Sequence, residues 1–166
     1  MEKKAKTNSS FSRELSGGIL RAANEEERTV ELSFSSEEPY ERWFGVEILD
    51  HSDGCVDLER LCSIGCVLFN HKRDEVIAKV LEAKCENGRC TAVIQFDKDE
   101  KSDVIYQKVK GGTLKGVSVG YLVSVWEEVA AGKTSSDGRF TGPCSIAKRW
   151  MPYEISIVSI PADPTV

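Results

Sequence analysis

Long apolar runs are absent from this sequence, and no stretch approaches the roughly 20 residues that a membrane-spanning helix needs. We therefore predict no membrane partner. The first ten residues are basic and polar, and they lead into no apolar segment followed by a cleavage site of small residues. A secretory signal needs both features, so we expect the chain to work in a reducing cytoplasm.

An excess of basic residues is also missing. The chain carries 22 Lys and Arg against 27 Asp and Glu, which gives a formal net charge of −5 and a pI near 5.2. Non-specific binding to nucleic acid needs clustered positive charge. We therefore predict that nucleic acid is not a partner.

A recognisable set of metal ligands is the third absence. Six cysteines are present, but they lack the CxxC spacing of structural zinc sites, and only His51 and His71 could complete a ligand set. We predict free thiols, no metal and no cofactor. A thiol enzyme or a metal-binding module remains an alternative. The six cysteines are Cys55, Cys62, Cys66, Cys85, Cys90 and Cys144.

Short stretches of alternating apolar and polar residues make up much of the chain, and Gly, Pro, Asn or Asp bound them. This pattern is typical of β-strands, so we predict a mainly β protein with flanking helices and about seven strands in a barrel or a sandwich. The predicted strands are Thr29–Ser35, Trp43–Leu49, Cys66–Asn70, Val76–Lys84, Arg89–Phe96, Lys115–Trp126 and Tyr153–Ile160.

Turn and helix signals complete this outline. Asn87-Gly88 stands between two strand-like runs and predicts an antiparallel hairpin, because both central residues of such a turn take positive φ. An apolar stripe, with acids in the first turn and lysines in the last, predicts a helix over Asp99–Lys110. A weaker pattern predicts a second helix over Asp57–Ser63.

The chain length of 166 residues fits one compact domain. We predict that residues 1–14 form a disordered tail, because they are mostly polar, and that residues 15–166 form a single domain. Residues 130–144 are rich in Gly, Ser, Thr and Asp, which predicts a mobile surface loop.

Three residues could carry chemistry. His71 follows the apolar run Cys66–Asn70 and precedes a charged turn, where a general base could meet a substrate. Ser118 has small residues on both sides, which leaves room for another backbone to approach its hydroxyl. Glu154 begins an otherwise apolar strand and needs a partner such as an imidazole. Each residue alone also fits an ordinary structural role.

The order of three motifs resembles the prohead maturation proteases of tailed phages. The motifs are Asn70-His71-Lys72-Arg73, Leu114-Lys115-Gly116-Val117-Ser118-Val119-Gly120-Tyr121 and Tyr153-Glu154-Ile155-Ser156-Ile157-Val158-Ser159-Ile160-Pro161-Ala162. The resemblance implies a mostly antiparallel β-barrel like that of the herpesvirus proteases. It also implies a serine nucleophile, Ser118, a histidine base, His71, and an acidic third member.

We expect Glu154 to be that acid. Asp163 lies in the same late motif and is the competing candidate, although its position between two prolines is typical of a turn residue. His51 precedes His71 and does not match the third position. The sequence identifies no donors for an oxyanion hole.

The resemblance implies a serine endopeptidase that forms an acyl-enzyme during virus prohead maturation. Its expected partners are the scaffold and the major capsid protein, with the chain itself as a further candidate for both cleavage and self-association. The expected location is the host cytoplasm, inside the immature capsid. The alternative is a non-enzymatic β-barrel that serves as a structural or docking subunit of a phage particle.

Overall fold

A computed structural model describes residues 10–15 and 18–160, except for the side chains of residues 14, 15 and 20. Asp163 lies outside the described residues. Ten strands and two helices occupy the part that is described. They are β1 (Ser10–Leu15), β2 (Ile19–Asn24), β3 (Thr29–Ser36), β4 (Tyr40–Arg42), β5 (Gly45–Leu49), α1 (Glu59–Ile64), β6 (Cys66–Phe69), β7 (Lys72–Glu86), β8 (Arg89–Phe96), α2 (Glu100–Lys110), β9 (Gly116–Val129) and β10 (Cys144–Val158).

All ten strands belong to one mixed sheet. Its main path runs β1-β9-β10-β6-β7-β8-β3-β2, and the β4–β5 hairpin joins it where β5 pairs with β10. Strand β10 runs parallel to β5 and β6, whereas the other pairs are antiparallel. The long strands β9 and β10 pair from Gly116 opposite Val158 to Val129 opposite Cys144. This central pair carries most of the candidate site.

The prediction of a mainly β protein with helices is confirmed, but about seven strands and a closed barrel are not. Within residues 10–15 and 18–160 the sheet is open, because no ladder joins its end strands β1 and β2. The end strand β2 does approach the start of β9, the neighbour of β1, since the Ile19 amide donates to Lys115 O at 3.4 Å. Strands β1, β2 and β4 were not predicted. The first two are edge strands and the third has three residues, so none shows a clear pattern of buried alternation.

The larger of two clusters of buried apolar residues forms the main core of the described part of the chain. Trp150, Tyr121 and Phe34 are among its largest fully buried side chains. Burial of a side chain of this class contributes on the order of 2 kcal/mol through the hydrophobic effect. The alternation of buried residues in β8, at Cys90, Ala92, Ile94 and Phe96, shows which face of the sheet the core covers.

Both predicted helices are present. Helix α2 begins after Asp99, whose carboxylate accepts a hydrogen bond from the Ser102 amide at 3.2 Å, as an N-cap residue does. Helix α1 is shorter and places Leu61 in the core. The predicted hairpin is also confirmed, because Asn87 and Gly88 have φ of 53° and 72° between β7 and β8.

The prediction that all six cysteines are free thiols is wrong for two of them. Cys85 and Cys90 lie directly opposite each other across the β7–β8 hairpin and form a disulfide. Their Cα atoms are 4.0 Å apart, because opposed residues in an antiparallel pair approach closely, and this brings the two side chains near enough to bond. The other four cysteines are free.

Two further segments, β1 and residues 130–144, contain structure that the sequence analysis did not predict. Strand β1 begins at Ser10, inside the segment 1–14 that the sequence predicts as a tail, because pairing with β9 supplies backbone partners that the local sequence does not predict. In segment 130–144, Ser135 and Asp137 form a turn through a 2.7 Å hydrogen bond. The mobility of that segment stays a prediction.

Candidate active site

His71 occupies the tightest turn of the site. Phe69 of β6 pairs with Lys72 of β7, so Asn70 and His71 are the two central residues of a hairpin. Their φ angles are 52° and 61°, in the left-handed region that non-glycine residues rarely adopt. Asn70 stabilises the turn through two hydrogen bonds. Its side-chain oxygen accepts from the Ser159 backbone amide at 3.0 Å, and its backbone amide donates to Ile157 O. Strain of this kind is often found at functional sites.

Glu154 is the hydrogen-bond partner of His71. The His71 Nδ1 atom lies 2.6 Å from Glu154 Oε1, and the two side chains are 35% and 16% exposed. A carboxylate accepts the Nδ1 proton, which fixes the imidazole tautomer whose Nε2 can accept another proton. The structure therefore brings together the two residues that the sequence proposes as base and orienting acid.

Ser156 is a part of this group that sequence reasoning missed. Its hydroxyl donates to Glu154 Oε1 at 2.7 Å and accepts from the His71 amide at 3.2 Å. It thus bridges the acid and the backbone of the base. Its position two residues after Glu154, on the same face of β10, was the available signal.

Ser118 lies on the neighbouring strand, directly opposite Ser156. Opposed residues in an antiparallel pair project to the same face, with Cβ atoms about 5 Å apart. Ser118 therefore lies beside Ser156, which bonds both His71 and Glu154. Its side chain is fully buried, and its hydroxyl donates to Arg13 O of β1 at 3.3 Å rather than to His71.

Gly120 makes space for the acid. It pairs with Glu154, and a Cβ atom at this position would lie 3.2 Å from Glu154 Oε2 and 3.2 Å from Tyr153 Cζ. These distances are tighter than ordinary van der Waals contacts. The glycine two residues after Ser118 thus allows Glu154 to lie over β9.

A cavity of about 450 Å³ opens beside Glu154. Two arginines and a tyrosine give it a polar rim, and the Arg60 guanidinium lies 5.6 Å from the centre of the Tyr153 ring. One free thiol, Cys66, also faces the cavity. Its lining residues are Ser10, Arg60, Cys66, Leu68, Arg73, Leu122, Tyr153 and Glu154.

A second serine–histidine pair lies elsewhere in the fold. Ser35 Oγ is 2.8 Å from His51 Nε2, and His51 Nδ1 is 2.8 Å from Leu49 O. Both side chains are buried, and burial lowers the pKa of His51. A backbone carbonyl stands where a catalytic histidine would have its acid, so this pair fits a satisfied core histidine.

The described residues contain neither a cluster of metal ligands nor a membrane-spanning helix. Among the described residues, no three His, Cys, Asp or Glu side chains converge as metal ligands. No helix in the described part of the chain is long and apolar enough to cross a membrane.

Comparison with known proteins identifies the family. A family model of caudovirus prohead serine proteases matches residues 59–166, which is more than half of the chain and includes His71, Ser118 and Glu154. The chain belongs to this family. Membership confirms the resemblance drawn from the three sequence motifs.

A relative carries a different name. The chain is 38% identical over 139 residues to a protein called "Major capsid protein" from Halomonas phage phiHAP-1. The match covers 81% of this chain but only 22% of the relative, so the chain spans about a fifth of that protein's length. No solved structure gives a significant match.

Proposed function

We propose that this chain is a serine endopeptidase of virus prohead maturation that works through an acyl-enzyme. The observation that supports this best is the 2.6 Å contact between His71 and Glu154 beside the strand that carries Ser118. Membership of a serine protease family agrees with it.

The proposed mechanism uses three side chains. Ser118 attacks a peptide carbonyl, His71 takes the serine proton and returns it to the leaving amine, and Glu154 orients His71 and stabilises its charged form. Water then releases the acyl group. Before attack, the Ser118 hydroxyl has to turn from Arg13 O toward His71 Nε2.

The proposed substrates are the scaffold and major capsid protein of a prohead, inside the immature shell in the host cytoplasm. The relative named "Major capsid protein" supports an association with capsid components. High local concentration inside a shell would let a weak peptide contact suffice. Self-cleavage and self-association belong to the same proposal.

Self-cleavage of the full-length chain tests the nucleophile. We expect Ser118→Ala and His71→Ala each to lower the rate by about three orders of magnitude or more, with little further loss in the double variant, because members of a triad act as a unit. The matched control is Ser124→Ala, an exposed serine on the same strand. Processing measured by mass at equal rates in wild type and Ser118→Ala would reject the nucleophile.

Two substitutions distinguish Glu154 from Asp163 as the acid that orients His71. Glu154→Gln keeps the size of the side chain but removes the charge that stabilises protonated His71, so we expect a large loss of rate. Asp163→Asn should leave the rate within about twofold if Glu154 is the acid, because the charge that stabilises protonated His71 is then retained. An active Glu154→Gln beside an inactive Asp163→Asn would assign the role to Asp163.

The structural alternative is a non-enzymatic subunit of a phage particle, and the capsid name of the relative favours it. Absence of any Ser118-dependent cleavage would support this alternative.

The thiol alternative needs a specific control, because Cys66 faces the cavity and its alkylation could block a serine enzyme. Alkylation should not reduce the activity of Cys66→Ala if Ser118 is the nucleophile.

A further inference from the structure

Strand β1 lies against the nucleophile as an extended peptide substrate would. It pairs antiparallel with β9 from Ser10 opposite Leu122 to Leu15 opposite Val117. Within this ladder the carbonyl oxygen of Arg13 accepts the Ser118 hydroxyl at 3.3 Å. Addition of a strand to a sheet edge is a common mode of peptide recognition. In acyl transfer, the carbonyl that faces the nucleophile belongs to the residue on the amino side of the cleaved bond.

The Arg13 side chain fills a site built for a guanidinium group. Its Nη2 atom lies 2.8 Å from Glu47 Oε1 and 3.1 Å from Glu47 O, and Nη1 donates to Glu38 O at 2.9 Å. The Tyr40 ring lies 4.9 Å from the guanidinium carbon. Arg13 is 5% exposed and Glu47 is fully buried. A carboxylate, two carbonyls and an aromatic face match the planar fork of arginine.

Glu47 remains supported when Arg13 is removed. Tyr121 donates to Glu47 Oε1 at 2.5 Å, and Arg42 lies 3.6 Å from the same atom. Burial and the neighbouring Glu47 charge raise the pKa of Tyr121, so its hydroxyl stays a proton donor. Although burial opposes it, contact with Tyr121 and Glu47 raises the pKa of Arg42. The acid therefore keeps a cationic partner without β1.

Buried atoms on both sides of this contact are unpaired, since Arg13 Nε and Arg42 Nε also lack partners among the described residues. Glu47 Oε2 is buried and has no hydrogen-bond partner among the described residues. A buried carboxylate oxygen without a donor is costly, and a second N–H of an arginine fork would satisfy it. Arg13 thus leaves one of its own N–H groups and one carboxylate oxygen unpaired, so its fit to the site is incomplete and a differently placed arginine could pair both.

We propose that Glu47 selects substrates with arginine on the amino side of the cleaved bond, and that β1 occupies this substrate position as a pseudosubstrate. This inference rests on the proposed protease function. Strand β1 is held in an unreactive form, because the Ser118 proton is shared with Arg13 O instead of His71 Nε2. As part of the same chain, β1 competes at high effective concentration with other peptides.

The reaction on a substrate is balanced without any further reagent. Ser118 Oγ bonds to the arginine carbonyl carbon while its proton passes to His71. The peptide C–N bond breaks and the leaving amine takes that proton. Water then cleaves the ester, which releases a peptide with a C-terminal arginine and restores the Ser118 hydroxyl.

Release of β1 is measured by the reaction of Ser118 with a fluorophosphonate probe. In the full chain, Arg13→Ala removes the buried contacts of β1, so we expect labelling of Ser118 to be about tenfold faster, as loss of about 1.4 kcal/mol predicts. Arg21→Ala is the matched control, since Arg21 forms an exposed pair with Glu31 on β3. Arg13→Gln, which is longer, replaces Arg13→Ala if the latter does not fold. Equal labelling rates in wild type and the Arg13 variant would reject the pseudosubstrate role.

Selectivity is measured with peptides and the Arg13→Ala chain. The peptides copy β1, Ser-Phe-Ser-Arg-Glu-Leu, with Arg, citrulline or Lys at the fourth position. We expect cleavage after Arg and a kcat/KM about 30-fold lower for citrulline, because a buried carboxylate then lacks its charged partner. Lysine should be intermediate, because it lacks the fork.

The outcomes separate this inference from the proposed function. If Ser118 is labelled but the three peptides are cleaved equally, or are cleaved at another bond, the proposed selectivity for arginine is wrong and the proposed protease function still holds. Absence of Ser118 labelling in every variant, with no peptide cleaved, would overturn the proposed function itself.

Discussion

At the scale of single residues, the site is a small cluster in which His71, Glu154 and Ser156 are linked by hydrogen bonds. His71 is fixed by its turn, and its Nδ1 meets Glu154. Ser156 bonds both the carboxylate of Glu154 and the backbone of His71. Because Ser156 bonds the proposed acid and the backbone of the proposed base, its proposed role is to position the pair.

Ser156→Ala tests that role. The substitution removes one hydrogen bond to Glu154 and leaves the His71 backbone amide without its acceptor. We expect this to cost about 1 to 2 kcal/mol of the free energy that holds His71 and Glu154 in place. We expect kcat to fall about tenfold while KM changes little, as the loss of an interaction important only in the transition state predicts. Kinetics with a peptide substrate provide the measurement, and Ser124→Ala serves as control. A rise in KM at unchanged kcat would contradict the positioning role.

At the scale of elements, two glycines of β9 allow close contact with β10, one at the candidate site and one at the backbone. Gly120 lies under the Glu154 side chain, whereas Gly116 lies against the backbone of Val158. A Cβ atom at Gly116 would be 2.8 Å from Val158 O, and strand backbone cannot move away as a side chain can. The same substitution at these two positions should therefore have different effects.

Gly120→Ala should reduce activity and Gly116→Ala should reduce stability. At Gly120 the new methyl group lies 3.2 Å from Glu154 Oε2 and shifts this side chain slightly relative to His71, so we expect kcat to fall by about tenfold. At Gly116 the clash with backbone should lower the free energy of unfolding by about 1 to 3 kcal/mol. Paired measurements of kcat and urea unfolding distinguish the two. The reverse pattern would show that Gly120 serves the fold alone.

Local pattern made most of the strands and both helices predictable, as β8, with its alternating burial, shows. The order of His71, Ser118 and Glu154 in the chain also indicated the candidate site. Non-local pairing explains what was missed. Strand β1 exists because it pairs with β9 across about 100 residues, and Ser156 gains its role from a turn far away in sequence. Pairing across the chain leaves no local signal for β1, and the only local signal for Ser156 was its position two residues after Glu154 on the same strand face.

At the scale of the whole molecule, one buried carboxylate links separate parts of the chain. Asp50 follows β5, is fully buried, and accepts from Lys148 Nζ of β10 at 2.6 Å and from Arg139 Nη2 at 3.1 Å. Arg139 belongs to segment 130–144 and also pairs with Glu37. The network thus fastens that segment to β10 of the main sheet.

Asp50→Asn should destabilise the protein in a pH-dependent way. Although burial opposes it, hydrogen bonds from Lys148 and Ser52 lower the pKa of Asp50 from 3.8 to about 2. A carboxyl with a lowered pKa in the folded state stabilises that state above its unfolded pKa, and the effect is lost as the pH falls through the folded value. At pH 7 we expect Asp50→Asn to lower the free energy of unfolding by about 2 kcal/mol.

Urea unfolding from pH 7 to pH 2 measures this difference between wild type and variant. It should be constant down to about pH 4 and then shrink toward pH 2, because the wild-type carboxylate becomes protonated in that window. Asp53→Asn, in the exposed part of the same turn, is the control and should change stability by less than about 0.5 kcal/mol. A deficit that persists undiminished to pH 2 would mean that Asp50 acts through its shape and not its charge. In that case the ion pairs with Lys148 and Arg139 would not be what fastens segment 130–144 to the sheet.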